Sequence, residues 1–197
     1  MITILKFQEI HAALNIEPDN AIRTSYNVMS VLTGKSVDEY RQMKWADFLK
    51  EQEEITFPTI GDMPEEWVKE FEVKGEKFYV NQFASDWNTE QFINMQTFTK
   101  DKEGIVFNLH NILATLCYKE KGEDINLTEF NRRAKLFQEN LDVRLAYPIG
   151  FFFAVILSEL SKTTAYYSMV KKKLIQLKWR KLKRLIGSLI NGDGTTR

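Results

Sequence analysis

Apolar residues recur along most of the chain at the three- and four-residue intervals of an α-helix. Ile4, Leu5, Phe7, Ile10, Ala13 and Leu14 predict a first helix over 4–14, which the Asn15-Ile16-Glu17-Pro18-Asp19-Asn20 cluster breaks. A second helix is expected over 21–33, with Ile22, Tyr26, Met29, Val31 and Leu32 inward and Gly34 just past its end. Ser36 and Glu39 have capping-box spacing and open a third helix, to about Gln42 or Met43. A fourth runs from Lys44 to about Glu54. Over 70–80 the period changes to two. Phe71 and Val73 alternate with charged residues, Lys74-Gly75-Glu76 makes a tight turn, and Phe78 and Val80 return. Ile55-Thr56-Phe57 offers a third strand.

Helical spacing then resumes. Asn88 caps one segment, Asn108–Tyr118 is strongly amphipathic, and Asn126 opens another with Phe130, Ala134 and Phe137 inward. Leu141–Tyr167 is mostly apolar and is expected to break or kink at Pro148 and Gly150. From Ser168 to Leu189 a basic amphipathic helix is predicted, with Ile175, Trp179, Leu182, Ile186 and Leu189 on one side. The fold class is therefore α+β, predominantly α-helical, with one small β-hairpin at about 70–80 and a long basic C-terminal helix. Its parts are an acidic body over 1–165, the basic helix over 166–190 and a flexible polar tail over 191–197.

Composition narrows this further. With 44% apolar and 13% aromatic residues, the bulk of the chain has too much buryable surface for a solvated coil. A single cysteine excludes a disulfide framework. The net charge is zero, but it is divided. Residues 1–140 hold 24 acidic and 16 basic side chains, and residues 141–197 hold 3 and 11. Such halves neutralise each other, within one chain or head-to-tail between copies, or meet separate partners. The most apolar run, 145–157, falls short of the roughly 20 residues a bilayer span needs and reads as a buried helix. Lys6 and Glu9 interrupt the N-terminal apolar stretch, so no secretory signal is expected and the cytoplasm is the expected compartment.

Candidate chemistry is sparse. The only close glycine pair, Gly192 and Gly194, precedes no helix, so no phosphate loop is expected. His11 and His110 stand far apart and read as half-buried helix residues; no metal site or cofactor is expected. Cys117 lies on an apolar helix face, where a thiol is inert. Glu51, Glu53 and Glu54 read as a solvated helix end. No catalytic residue is expected, and the chain is read as a non-enzyme.

The sharp local signal is a run of eight positive charges without an acid: Lys171, Lys172, Lys173, Lys178, Arg180, Lys181, Lys183 and Arg184, with Trp179 and leucines interleaved. An anionic membrane, nucleic acid or an acidic protein surface would each satisfy it. Phe151, Phe152 and Phe153 are the second candidate. They span about 200° of a helix, so all three cannot face one core. Either two fill the core and the third packs on a neighbouring helix, or they line an exposed apolar groove with Tyr166 and Tyr167.

Three stretches together resemble tail assembly chaperones of phages of Bacteroidetes hosts. They are Val28–Tyr40 (a helix, Leu32-Thr33-Gly34, then a capped helix), the Phe71–Val80 hairpin leading to Asp86–Phe92, and Asn108–Tyr118 followed by Arg132–Phe137 and Pro148–Phe153. The resemblance covers about residues 20–160. The Lys119–Asp124 loop departs from the pattern, and the helix after Ser168 has no counterpart in it. The resemblance implies a non-enzymatic role in the host cytoplasm during virion assembly, covering an apolar client such as the tape-measure protein, with other phage proteins and further copies of the chain as partners. The alternative is a structural virion protein that stays in the particle and meets genome, portal, capsid or tail surfaces through its basic helix.

Overall fold

The computed structural model describes residues 1–157 except 56–62, 65, 82, 84–85, 101 and 124. The predicted helix over 166–190 and the tail over 191–197 lie outside the described residues. Residues Met1–Ala154 form one compact unit; of a second, Val155–Arg197, only 155–157 are described.

The elements follow in order as α1 (Ile4–Leu14), α2 (Ala21–Thr33), α3 (Val37–Gln42), α4 (Trp45–Glu54), β1 (Glu70–Val73), β2 (Glu76–Val80), α5 (Thr89–Phe98), α6 (Lys102–Phe107), α7 (Leu109–Leu116), β3 (Cys117–Tyr118) and α8 (Leu127–Asn140). A last helix, α9, occupies 143–157 of the described residues. The chain is mostly helical with one small antiparallel sheet, as expected in outline, but the sheet has three strands in the order β1-β2-β3. The third comes from Cys117–Tyr118, which the periodicity had assigned to the end of a helix. α7 stops at Leu116, and the next two residues extend to pair with Tyr79 and Val80. Of the segment Ile55-Thr56-Phe57, Ile55 caps α4 and the other two lie outside the described residues.

Local chemistry sets the helix starts. Thr3, Asn20, Ser36, Asn88 and Asn126 each accept a backbone N–H three residues on. Ser36–Glu39 and Asn88–Gln91 close full capping boxes. Asp142 starts α9 by accepting the Arg144 N–H at 2.9 Å. Gly34 ends α2 with φ 82°, its N–H on the Ser30 carbonyl. The hairpin turns on Lys74 and Gly75, with φ 51° and 78°, the pair of positive angles a two-residue type I′ turn requires. This fixes the register Phe71 opposite Phe78, and both rings meet Phe137 of α8, at 5.6 and 4.8 Å between centroids.

The core centres on α7, where Leu109, Ile112, Leu113, Ala114 and Leu116 are all buried. On α2 the inward residues are Val28 and Met29; Ile22, expected inside, is exposed. α9 crosses α7 closely. A Cβ at Gly150 would lie 2.5 Å from Leu109 Cδ1, so the glycine, expected to break the helix, instead admits its neighbour. The helix runs unbroken through Pro148 as well. A buried amide ties three further elements. Gln8 of α1 accepts from Gln138 at 2.8 Å. Its Nε2 faces the carbonyls of Val106 and Phe107 at 2.9 Å and His110 Nδ1 at 3.1 Å. With Gln8 Nε2 as donor, Nδ1 must carry a lone pair, and burial lowers the His110 pKa accordingly. The N-terminus closes the body through an antiparallel bridge, Thr3 opposite Asp142.

Two outcomes are expected. Gly150→Val should destabilise the fold by about 1–3 kcal/mol through overpacking against Leu109, read as a lower urea midpoint. The neutral His110 of the folded state binds fewer protons than the unfolded chain, so stability should fall as pH drops below the ordinary histidine value of 6.5. His110→Gln, which keeps an acceptor for Gln8, should remove that step in urea melts recorded from pH 7 to pH 5.

Candidate interaction site

Of the residues singled out by sequence, Phe151, Phe152 and Phe153 fall in α9, whereas Lys171, Lys172, Lys173, Lys178, Trp179, Arg180, Lys181, Lys183 and Arg184 lie outside the described residues, as do Tyr166 and Tyr167. The three phenylalanines divide differently from the two-in, one-out expectation. Phe153 is fully buried, while Phe151 is 49% and Phe152 38% exposed. The reason is helical phase. The inner side of α9 is already taken by Ala146, Ile149, Gly150 and Ala154, and only Phe153 shares their direction. Exposed Leu145, Phe151, Phe152 and Val155 fall within an arc of about 120°. An outward helix face is ordinarily polar; here Arg144 is its charged member.

The exposed rings are held in place. Phe153 sits between Trp67 at 5.8 Å and Trp87 at 5.5 Å between centroids. Phe152 meets Trp67 at 5.2 Å and Phe153 edge-on at 5.2 Å. Phe151 stacks on Tyr147 at 5.9 Å, and Tyr147 meets Phe7 of α1 edge-on at 6.1 Å. Sequence reasoning did not name Trp67, Trp87, Tyr147 or Phe7. The two tryptophans follow no helical or strand period, and their only signal was their position on either side of the hairpin. The Trp87 indole N–H is buried and has no hydrogen-bond partner among the described residues. Aromatic pairs of this kind contribute about 0.5–1.5 kcal/mol beyond area burial, so the face is presented rigidly.

The densest charge cluster joins the hairpin, the loop after β3 and α8. Arg133 is almost wholly buried. It donates to Glu123 at 2.6 and 2.9 Å, to Glu129 at 2.9 Å and to the Cys117 carbonyl at 3.1 Å. Arg132 forks onto Glu76 with two bonds of 2.8 Å and also reaches Glu129. Lys119 pairs with Glu76, and both Lys119 and Arg133 stand over the Phe78 ring. The Arg132 hydrogen bond, followed by that of Lys119, holds Glu76 at about 2. Arg132, followed by Arg133 against partial desolvation, does the same for Glu129, also about 2. Three carboxylates face three cations, so the cluster is electrically closed and acts as a clamp between elements.

The remaining reactive groups are engaged or sealed. Burial pushes the Cys117 thiol far up. His11 lies tilted against Phe107, ring centroids 5.6 Å apart. Among the described residues no group of three or more His, Cys, Asp or Glu gathers as metal ligands, and no helix is long and apolar enough to cross a membrane. Compared with protein-family models, curated proteins and solved structures, the chain matches none.

Removing Arg133 leaves Glu123 without its buried partner, so Arg133→Gln should cost about 3–5 kcal/mol. Arg132→Gln removes a partly exposed pair and should cost about 1 kcal/mol or less. Paired urea unfolding curves of the two variants check the contrast.

Proposed function

We propose that this chain is a non-enzymatic bacteriophage assembly protein, a tail assembly chaperone that covers an apolar client such as the tape-measure protein in the host cytoplasm. The observation that carries this reading is the outward aromatic face of α9, Phe151 and Phe152, fixed from below by Phe153, Trp67 and Tyr147. Large apolar side chains on a rigid outward helix face favour capture of another macromolecule's apolar surface. An elongated helical client with one apolar stripe has the complementary chemistry. The order of the capped helices, hairpin and Phe-Phe segment is consistent with the chaperone resemblance.

The basic run Lys171–Arg184 favours a second reading, a virion protein retained in the particle on genome or on acidic portal, capsid or tail surfaces. The two differ in fate. A chaperone leaves before the particle matures, whereas a structural protein is stoichiometric in it.

Both are tested with tagged full-length chain in infected cells. The chaperone reading expects co-purification with a very long coiled-coil-rich protein and absence from purified virions. Phe151→Ser with Phe152→Ser should abolish that capture while leaving the urea midpoint within about 1 kcal/mol of the parent, because both rings are already partly in water. Stoichiometric presence in virions would establish the second reading instead.

A further inference from the structure

One place on the body combines apolar and acidic surface. A hollow of about 260 Å³ between α2 and the end of α4 is walled by Leu14, Val28, Met29, Leu32 and Ile55. On the other side of Ile55 a shallower hollow of about 570 Å³ is lined by Asp47, Glu51 and Glu54, with Lys35 and Lys50. The acids stand at the wrong end of their helix. Glu51, Glu53 and Glu54 occupy the last turn of α4, where the macrodipole is negative and no basic residue answers them. Glu51 is engaged by Lys35 at 2.7 Å and by the Tyr40 hydroxyl at 2.9 Å. Glu53 and Glu54 have no bonded partner among the described residues. An outside cation placed there would relieve both the like-charge crowding and the unfavourable dipole, while apolar side chains beside it entered the slot.

We propose that the occupant is the basic segment 171–184 of a second copy of this chain, docking head-to-tail. Charge complementarity selects it. The segment carries eight positive charges and no acid, with Leu174, Ile175, Leu177, Trp179 and Leu182 between them. It belongs to a 57-residue stretch whose excess of eight positive charges equals the negative excess of the first 140 residues. The acidic slot offers both things such a segment needs, carboxylates and an apolar recess. Because donor and acceptor patches are different surfaces, the contact is heterologous and propagates into an open row of copies unless its rotation closes a ring. The proposal does not rest on the chaperone reading. It uses a different surface from Phe151 and Phe152, so the serine pair should lose the client and keep self-association.

The test is sedimentation velocity on full-length protein. Wild type should rise in mass with concentration at low salt and return to monomer at about 1 M NaCl, where the Debye length is about 3 Å. Glu53→Lys with Glu54→Lys should be monomeric, although those changes favour α4 itself. Lys181→Glu with Lys183→Glu and Arg184→Glu should be monomeric too. Mixing the two variants makes both patches complementary again and should restore association. Wild type that stays monomeric at low salt, whether or not it binds anionic vesicles or nucleic acid, overturns the proposal. So does a mixture that fails to associate, or an acidic-slot variant that associates as wild type does.

Discussion

The eight residues of α7 are enclosed on every side, and the rest of the body is shaped by that enclosure. A helix with a polar face could rest on one neighbour. One that buries Leu109, Ile112, Leu113, Ala114 and Leu116 together must be wrapped. α9 covers it at Gly150, α8 and α5 pack along it, and Gln8 of α1 seals its first turn through His110. Where α7 ends, its chain passes directly into the sheet as β3. The buried helix therefore joins the helical layer to the strands without an intervening loop.

That arrangement explains why the aromatic face of α9 is outward and stiff. Gly150 and Ile149 must face α7, which leaves Phe151 and Phe152 no inward direction. Phe153 is then the one ring of the three that anchors. The charged clamp around Arg133 works at the other side of the same framework. It fastens the hairpin and the post-β3 loop to α8 with a neutral set of charges and leaves no net field for a ligand. Unpaired carboxylates collect instead at the end of α4, remote in sequence from the clamp.

What could be read from sequence was what short range decides. Ser36–Glu39, Asn88, Asn126 and the Lys74-Gly75 turn each depend on atoms within three or four residues, and each was legible. What escaped depends on distant partners. Cys117–Tyr118 continues an apolar helical period and becomes a strand only because β2 offers a free edge. Arg133 has a residue type that belongs outside, and is buried because Glu123 and the Cys117 carbonyl meet it there. Pro148 and Gly150 read as breakers, yet the tight crossing with α7 makes the glycine a requirement of packing. Of the candidate site, the Phe-Phe-Phe run was legible as a surface candidate. Which ring faces inward was not, because that depends on the side of α9 that α7 claims.

The bridge between Thr3 and Asp142 has a mechanical consequence. Ile4 donates to the Leu141 carbonyl at 3.1 Å, and Val143 donates to the Ile2 carbonyl at 2.9 Å. The two segments run antiparallel, so the chain's start and the root of α9 leave the bridge on the same side. Tension between those two points would load the outer hydrogen bond first and then the inner one, as in unzipping, with no shared shear resistance. A client tugging on α9 against an N-terminally tethered body would therefore find this corner the weakest seam to open.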